Sequence, residues 1–353
     1  MKVGILTFHA AHNYGAMLQT YALKLSCEKM GYQTAVIDYN PEYIRRQYQY
    51  FKPQKNIKGN LCNILNLCGN ISKQKRFEEF KNTYFDLIPP DSGEKFDALL
   101  YGSDQIWNPN ISGDFDSFFF GENPIQTKRN IAYAASLGKH SLDDREKERF
   151  SVLAPNLDAI SLREETAKKV LQPLCSQQTE VTLDPTLLTE EKDWENIAVS
   201  PKNTRPYILV YEVALFPETM KTAKELSKRT GLPIVRIMYS RTHLRYEYQT
   251  LNGLGPKEFV GWIKNAAYVV TSSFHGTAFS LIFGKNFYTI PHPSYASRMT
   301  DLLSRLHLNA RLVRELPAEI TDIDYDNVRP LLNREKEKSL SFLKNTINKT
   351  QEE

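Results

Sequence analysis

The stretch Ala267-Tyr268-Val269-Val270-Thr271-Ser272-Ser273-Phe274-His275-Gly276, followed by Thr277-Ala278-Phe279-Ser280-Leu281-Ile282-Phe283-Gly284, changes character part-way. The first part is a short apolar run ending in small hydroxyl residues. The second is apolar at helical spacing and closes on a glycine, which reads as strand, tight turn and helix. The turn gathers Ser272, Ser273, His275 and Gly276. Backbone N–H groups and one titratable side chain therefore lie at a helix N-terminus, where orphan donors and the dipole favour an anion. The dipole contributes only about 0.3–2 kcal/mol, so tight anion binding needs added cations. His275 could equally cap the helix or pack in the core, and the turn alone leaves both readings open.

The same alternation extends outward from this segment. Residues 207–213 and 234–238 read as strands around a helix at 217–230. Pro256 suits the first turn of another helix. A strand at 287–290, a helix at 298–308 and a long polar helix at 335–350 follow. The N-terminal half repeats the pattern, with a strand at 2–8, a loop at 9–16, a helix at 17–30 and a strand at 34–39. That is one βαβ unit, so a parallel sheet begins there. Asp38 lies where a dinucleotide fingerprint would place an acid, but the 9–16 loop has one glycine where that motif needs three. Further strands at 96–102, 130–135 and 159–162 run into polar segments, which suits ligand loops at the carboxyl ends of strands. Polar residues 189–205 mark a boundary.

The expected fold is α/β: two Rossmann-like domains facing across a cleft, with a C-terminal helix. The domains are expected at 1–190 and 191–330, with the helix at 331–353 and a basic insertion at 43–80. Within 43–77 the chain carries Arg45, Arg46, Lys52, Lys55, Lys58, Lys73, Lys75 and Arg76 and no acid, interleaved with Tyr48, Tyr50, Phe51, Ile57, Leu61, Ile64, Leu65 and Leu67. Two readings fit this segment: a solvated cationic face, or a surface that meets an anionic membrane or a lipid diphosphate.

The chain has 353 residues, enough for two cores. Its formal net charge of +4 is too weak to argue for nucleic acid. Cys27, Cys62, Cys68 and Cys175 show neither a C-x-x-C pair nor zinc spacing, which reads as free thiols in a reducing compartment. No apolar run approaches the ~20 residues that span a bilayer, and the N-terminus lacks a signal-peptide layout. The expected location is the cytoplasm, at the inner face of the membrane if the basic segment meets lipid. No cluster at metal-ligand spacing appears, so no metal is expected.

Several stretches, taken together and in order, resemble the polysaccharide pyruvyl transferase family. They are Asn13-Tyr14-Gly15-Ala16 with Gln19, Gly102-Ser103-Asp104-Gln105-Ile106-Trp107-Asn108, Tyr133-Ala134-Ala135-Ser136, Ser161-Leu162-Arg163-Glu164, Asp184-Pro185-Thr186 and Ser272-Ser273-Phe274-His275-Gly276. The resemblance implies a GT-B-like architecture and transfer of the enolpyruvyl group of phosphoenolpyruvate onto two hydroxyls of a sugar in a surface-polysaccharide precursor. The products are a cyclic ketal and phosphate. It implies no cofactor beyond the donor substrate, and an acceptor that is often lipid-linked.

Carried over residue by residue, the resemblance gives Arg163 and His275 as donor residues. It gives Arg298 as the basic residue further on, where many members carry lysine. Ser273 stands where some members have an arginine, so Lys285 or Arg298 is expected to supply that cation. His275 is then either the acid or a phosphate ligand. Asp104 is the candidate for activating a sugar hydroxyl, against a reading in which it caps a turn beside Trp107. Ser103, Asn13 and Tyr14 are expected to line the site, together with Ser272, Ser273 and Gly276. Asp184 reads as structural. Two rivals remain: a GT-B glycosyltransferase using a nucleotide sugar, and a non-catalytic member that binds a polysaccharide precursor.

Overall fold

The computed structural model describes residues 1–48, 57–202, 205–213, 215–238, 247–291 and 296–349, and for 57–65 the backbone alone. Tyr50, Phe51, Lys52 and Lys55 of the basic segment lie outside the described residues. Fourteen strands appear among the described residues, in chain order β1 (Lys2–Leu6), β2 (Gln33–Ile37), β3 (Leu87–Ile88), β4 (Lys95–Phe96), β5 (Ala98–Tyr101), β6 (Gln126–Thr127), β7 (Asn130–Ala135), β8 (Ala159–Leu162), β9 (Thr179–Val181), β10 (Ile208–Tyr211), β11 (Ile234–Ile237), β12 (Gln249–Leu251), β13 (Tyr268–Thr271) and β14 (Asn286–Thr289).

They form two parallel sheets and a short β4-β6 ladder. The first sheet runs β3-β2-β1-β5-β7-β8-β9 and the second β12-β11-β10-β13-β14. Both orders reverse once, as in a Rossmann sheet, and ligands of such sheets gather at the carboxyl ends of strands beside the reversal. The reversal lies between β1 and β5 in the first sheet and between β10 and β13 in the second. Central strands such as β5 and β10 are buried at every residue. Parallel strands covered on both faces read as continuous apolar runs for this reason.

Two compact units divide the chain: residues 1–48, 81–189 and 329–353 in one, 49–80 and 190–328 in the other. The basic segment, expected as an insertion of the N-terminal domain, thus contributes 49–80 to the second unit. Its Ile57–Tyr84 helix bonds there through Asn66, whose Oδ1 accepts from Asn252 Nδ2 at 3.1 Å. The C-terminal helix, Tyr325–Asn348, begins ten residues before the expected 335. Its 329–348 part belongs to the first unit, where Ser339 Oγ accepts from the Leu183 N–H at 2.9 Å and Phe342 packs on Tyr133.

The first unit's core is aromatic around Trp107, which stacks on Phe120 at 4.9 Å and meets Phe150 edge-on. The second is built on Ile208, Val210, Val270 and Ile290. No helix among the described residues is long and apolar enough to cross a membrane.

Candidate functional site

In the first unit the polar groups converge where β1, β5, β7, β8 and β9 end. Gly102 follows β5 at φ +122°, and a Cβ there would lie 2.3 Å from the Tyr133 carbonyl oxygen, so only glycine fits. Ser103 comes next and is fully enclosed. Its N–H donates to Gln19 Oε1 at 3.2 Å, its carbonyl accepts from Thr7 Oγ1 at 3.1 Å, and its Oγ donates to the Ala134 carbonyl at 3.1 Å. Asp104 sits in the left-handed region at φ +69°, which aspartate tolerates better than most residues. Its Oδ1 accepts from the Gln105 N–H at 2.9 Å and its carbonyl accepts from the Ser136 N–H.

Arg163, one residue past β8, is 2% exposed. Its guanidinium donates to Ser103 Oγ at 2.7 Å, lies 3.2 Å from Asp184 Oδ2 and 3.9 Å from Asp104 Oδ1. Asp184 is itself fixed, with Oδ1 accepting from the Thr186 N–H and hydroxyl at 2.9 and 2.6 Å. Glu164, also buried, accepts from Ser136 Oγ at 2.9 Å.

The expectation that Ser103 and Arg163 meet substrate directly therefore changes: carboxylates and a hydroxyl already enclose the guanidinium. Asp104, with its side chain 16% exposed, is the member of this trio that reaches the surface. Asn13 caps the Tyr14–Lys29 helix through Oδ1, with Gly15 N–H at 2.9 Å, and Tyr14 is buried. His9 and Asp38 form a pair that the sequence reading did not join. His9 is fully buried, its Nε2 is 3.0 Å from Asp38 Oδ1 and its Nδ1 3.2 Å from the Thr7 carbonyl. The β1–β2 register, which pairs Ile5 with Val36, brings the two strand ends together.

In the second unit the 272–276 turn follows β13 at its reversal point. Thr271 Oγ1 donates to the Tyr211 carbonyl at 2.6 Å and accepts from the Ser273 N–H at 3.0 Å, tying the turn to β10. A Cβ on Gly276 would fall 2.3 Å from that same Oγ1, which accounts for the glycine. Ser273 is the N-cap of the Phe274–Ile282 helix, its Oγ accepting from the Gly276 N–H at 3.4 Å. His275 is 7% exposed and edge-on to Phe274, and Ser272 is half-buried.

Glu212, just past β10, forms a buried ion pair with Arg236 of β11 and accepts from the Phe216 N–H at 3.1 Å. Burial holds its carboxyl above the usual carboxylate range, against the pull of Arg236. The sequence reading missed this pair; the available signal was Arg236 inside the apolar run Ile234-Val235-Arg236-Ile237.

Arg298 is buried near the start of the Ser297–Arg305 helix, which follows β14 and packs against the Phe274–Ile282 helix. Lys285 is placed differently from its expected role. It precedes β14, whose Asn286 pairs with Tyr268 and whose Thr289 pairs with Thr271. A strand of four residues, ~13 Å at ~3.3 Å per residue, separates its position from the level of the turn. Burial also lowers its ammonium below the usual lysine range.

A family model described as polysaccharide pyruvyl transferase matches residues 13–294, which include both clusters. The chain belongs to the polysaccharide pyruvyl transferase family. Its described match begins at Asn13, so His9 lies ahead of it. No curated protein gives a significant match.

Among solved structures, the S. aureus MnaA–UDP co-structure aligns at a TM-score of 0.50 and 11% identity over 98% of this chain and 95% of that one. A UDP-GlcNAc 2-epimerase from Methanocaldococcus jannaschii aligns at 0.47 and 13% over 99% and 94%. A Streptomyces sp. SF2575 glycosyltransferase aligns at 0.40 and 12% over 98% and 99%. At such identities the first of these speaks for the fold alone. With the two Rossmann-ordered sheets, it gives this family member a GT-B-like α/β architecture.

Proposed function

We propose that this family member moves the enolpyruvyl group of phosphoenolpyruvate onto two hydroxyls of a sugar in a surface-polysaccharide precursor. The carrying observation is the 272–276 turn, a glycine-dependent helix N-terminus with a buried histidine at its sheet's reversal point. Backbone donors and an imidazole together suit a phosphate, and Arg298 on the neighbouring helix is the added cation that the weak dipole requires.

In the reaction, C3 of the enol gains a proton and C2 becomes electrophilic. One sugar hydroxyl adds to C2, the C2–O bond to phosphate breaks, and the second hydroxyl closes the ketal. Of the two hydroxyl protons, one balances the new methyl group and the other leaves with phosphate. A positioned acid or base contributes about 10²–10⁴-fold, a role for His275 or Asp104. Arg163 acts in this reading as a positioning residue, holding the Ser103 and Asp104 turn. No resident cofactor enters the reaction. We read the working compartment as the cytoplasm, and the acceptor as a free or lipid-diphosphate-linked sugar.

Melting curves with and without millimolar phosphoenolpyruvate test the donor. A ligand at ~100 times its Kd stabilises by about 2.7 kcal/mol. The expected result is a shift in wild type that His275→Ala and Arg298→Ala each lose. A shift with UDP-N-acetylglucosamine and none with phosphoenolpyruvate would move the assignment to a nucleotide-sugar glycosyltransferase. Phosphate release without a ketal product would contradict the transfer.

A further inference from the structure

The first βαβ unit runs from β1 through the Tyr14–Lys29 helix to β2, and Asp38 is the first residue past β2. In a dinucleotide-binding Rossmann sheet the acid near this position accepts from a sugar hydroxyl, while glycines in the turn after β1 admit the pyrophosphate. The two jobs are separable. Here the 9–16 loop has a single glycine, and the helix N-terminus is capped from within: Asn13 Oδ1 accepts from the Gly15 and Ala16 N–H groups at 2.9 and 3.4 Å. This loop lacks the phosphate-binding half of the device, and the strand after it keeps the acid.

Asp38 is held in place from two sides. Its N–H donates to the Ile88 carbonyl of β3 at 2.9 Å. Its Oδ1 lies 3.0 Å from Nε2 of His9, a fully buried ring whose Nδ1 is 3.2 Å from the Thr7 carbonyl. Thr7 Oγ1 accepts from Gln19 Nε2 at 2.9 Å and donates to the Ser103 carbonyl at 3.1 Å. One network thus ties Asp38, past β2, to the Ser103-Asp104 turn, past β5, across the reversal point of the first sheet. The Asp38 side chain is nonetheless 48% exposed. An ionised carboxylate has about four acceptor sites, and the His9 bond uses one. Such a group accepts from hydroxyls and repels phosphate and carboxylate.

We propose that Asp38, oriented by His9, binds the acceptor, its carboxylate accepting a hydrogen bond from a hydroxyl of a neutral sugar. The occupant rests on the transfer reading above, which needs a site for a polyol as well as one for an anion. Asp38 is then a specificity residue for the acceptor, and His9 is a positioning residue.

The test reads sugar binding directly, by saturation-transfer difference NMR of the full chain. The probes are p-nitrophenyl hexosides and N-acetylhexosaminides, with and without phosphoenolpyruvate. Expected is a glycoside that binds wild type and binds Asp38→Asn about tenfold more weakly. The Tm and the phosphoenolpyruvate shift should stay unchanged in this variant. The amide keeps an oxygen for His9 and puts an NH2, a donor, in place of the other oxygen, so an acceptor is lost while the fold is kept. His9→Gln, whose side-chain N–H replaces that of Nε2, should keep the affinity. His9→Leu, which fills the space without an N–H, should lose about tenfold.

A folded Asp38→Asn variant with wild-type sugar affinity would overturn the proposal, as would a wild type that binds no glycoside in either condition. Equal losses in His9→Gln and His9→Leu would remove the positioning role of His9. Asp38-dependent sugar binding by a chain that shows no phosphoenolpyruvate shift would instead sink the transfer reading and leave the sugar subsite standing.

Discussion

Each sheet ends, beside its reversal point, in a cluster of opposite construction. In the first unit a buried cation is enclosed by fixed acceptors: Arg163 against Ser103, Asp184 and Asp104. In the second, backbone donors and His275 gather at a helix N-terminus, and the fixing is done by hydroxyls, Thr271 to β10 and Ser273 to the helix. One cluster has its charge balanced internally and shapes a turn. The other sets a helix N-terminus beside a buried histidine, the place proposed above for the donor's phosphate. A residue's place in a motif therefore does not give its job, since what already surrounds its charge decides whether a ligand is needed to balance it.

The largest expected effect comes from breaking the enclosed cluster. Arg163→Ala leaves Asp184 as a buried carboxylate without its guanidinium, and removing one partner of such a pair costs about 3–5 kcal/mol. A denaturant midpoint should fall accordingly, whereas His275→Ala should change it far less. Equal losses in the two variants would erase the distinction between a structural and a ligand-binding cluster.

A second contrast concerns buried cations. Arg163 has carboxylates beside it, while burial pushes the Lys73 ammonium of the second unit down to about 7. Between that value and the ordinary 10.5 the unfolded chain holds a proton that the folded chain has lost. Stability should therefore rise with pH across the window, by up to about 1.4 kcal/mol per unit. Below about pH 7 both states are protonated and the full penalty is present. Lys73→Met should flatten the rise, read from chemical denaturation at several pH values. A slope unchanged in Lys73→Met would assign the pH dependence elsewhere.

Gly276→Ala comes third. The added Cβ must displace Thr271 Oγ1, which is bonded to β10, and overpacking of this kind costs about 1–3 kcal/mol. The phosphoenolpyruvate shift should go with it, because the turn that presents the donors moves. A normal shift in this variant would separate the donor from the turn.

The strand and helix alternation was legible because buried parallel strands are apolar runs, as in Tyr268-Val269-Val270-Thr271. The Ile57–Tyr84 helix was not, since Asn66, Asn70 and Lys73 face inward and break the expected period. Nor was β12, a short edge strand of partly exposed residues. Within the sites, the residue types and the reversal-point positions were legible from motif order. Burial was not: Ser103 and Arg163 are enclosed by Gln19, Thr7 and Asp184, which are remote in sequence. The His9–Asp38 and Glu212–Arg236 pairs likewise join residues on, or a few positions past, neighbouring strands, and adjacency of strands is a property of the sheet order.

The smallest effect is the sharpest test of the donor-rich turn. Ser273 Oγ accepts from the Gly276 N–H at 3.4 Å, a long cap, so Ser273→Ala should cost only about 0.5 kcal/mol, at the low end for such caps. Its effect on the phosphoenolpyruvate shift carries the information. If Ser273 serves only as cap, the variant keeps the full shift on a slightly lower baseline. If the hydroxyl also meets the phosphate, the shift shrinks by more than the baseline does, and Ser273→Thr, which keeps the hydroxyl, restores it. Loss of stability with an intact shift would make the second cluster resemble the first, a turn fixed by its own side chains, and would leave His275 and Arg298 to hold the anion.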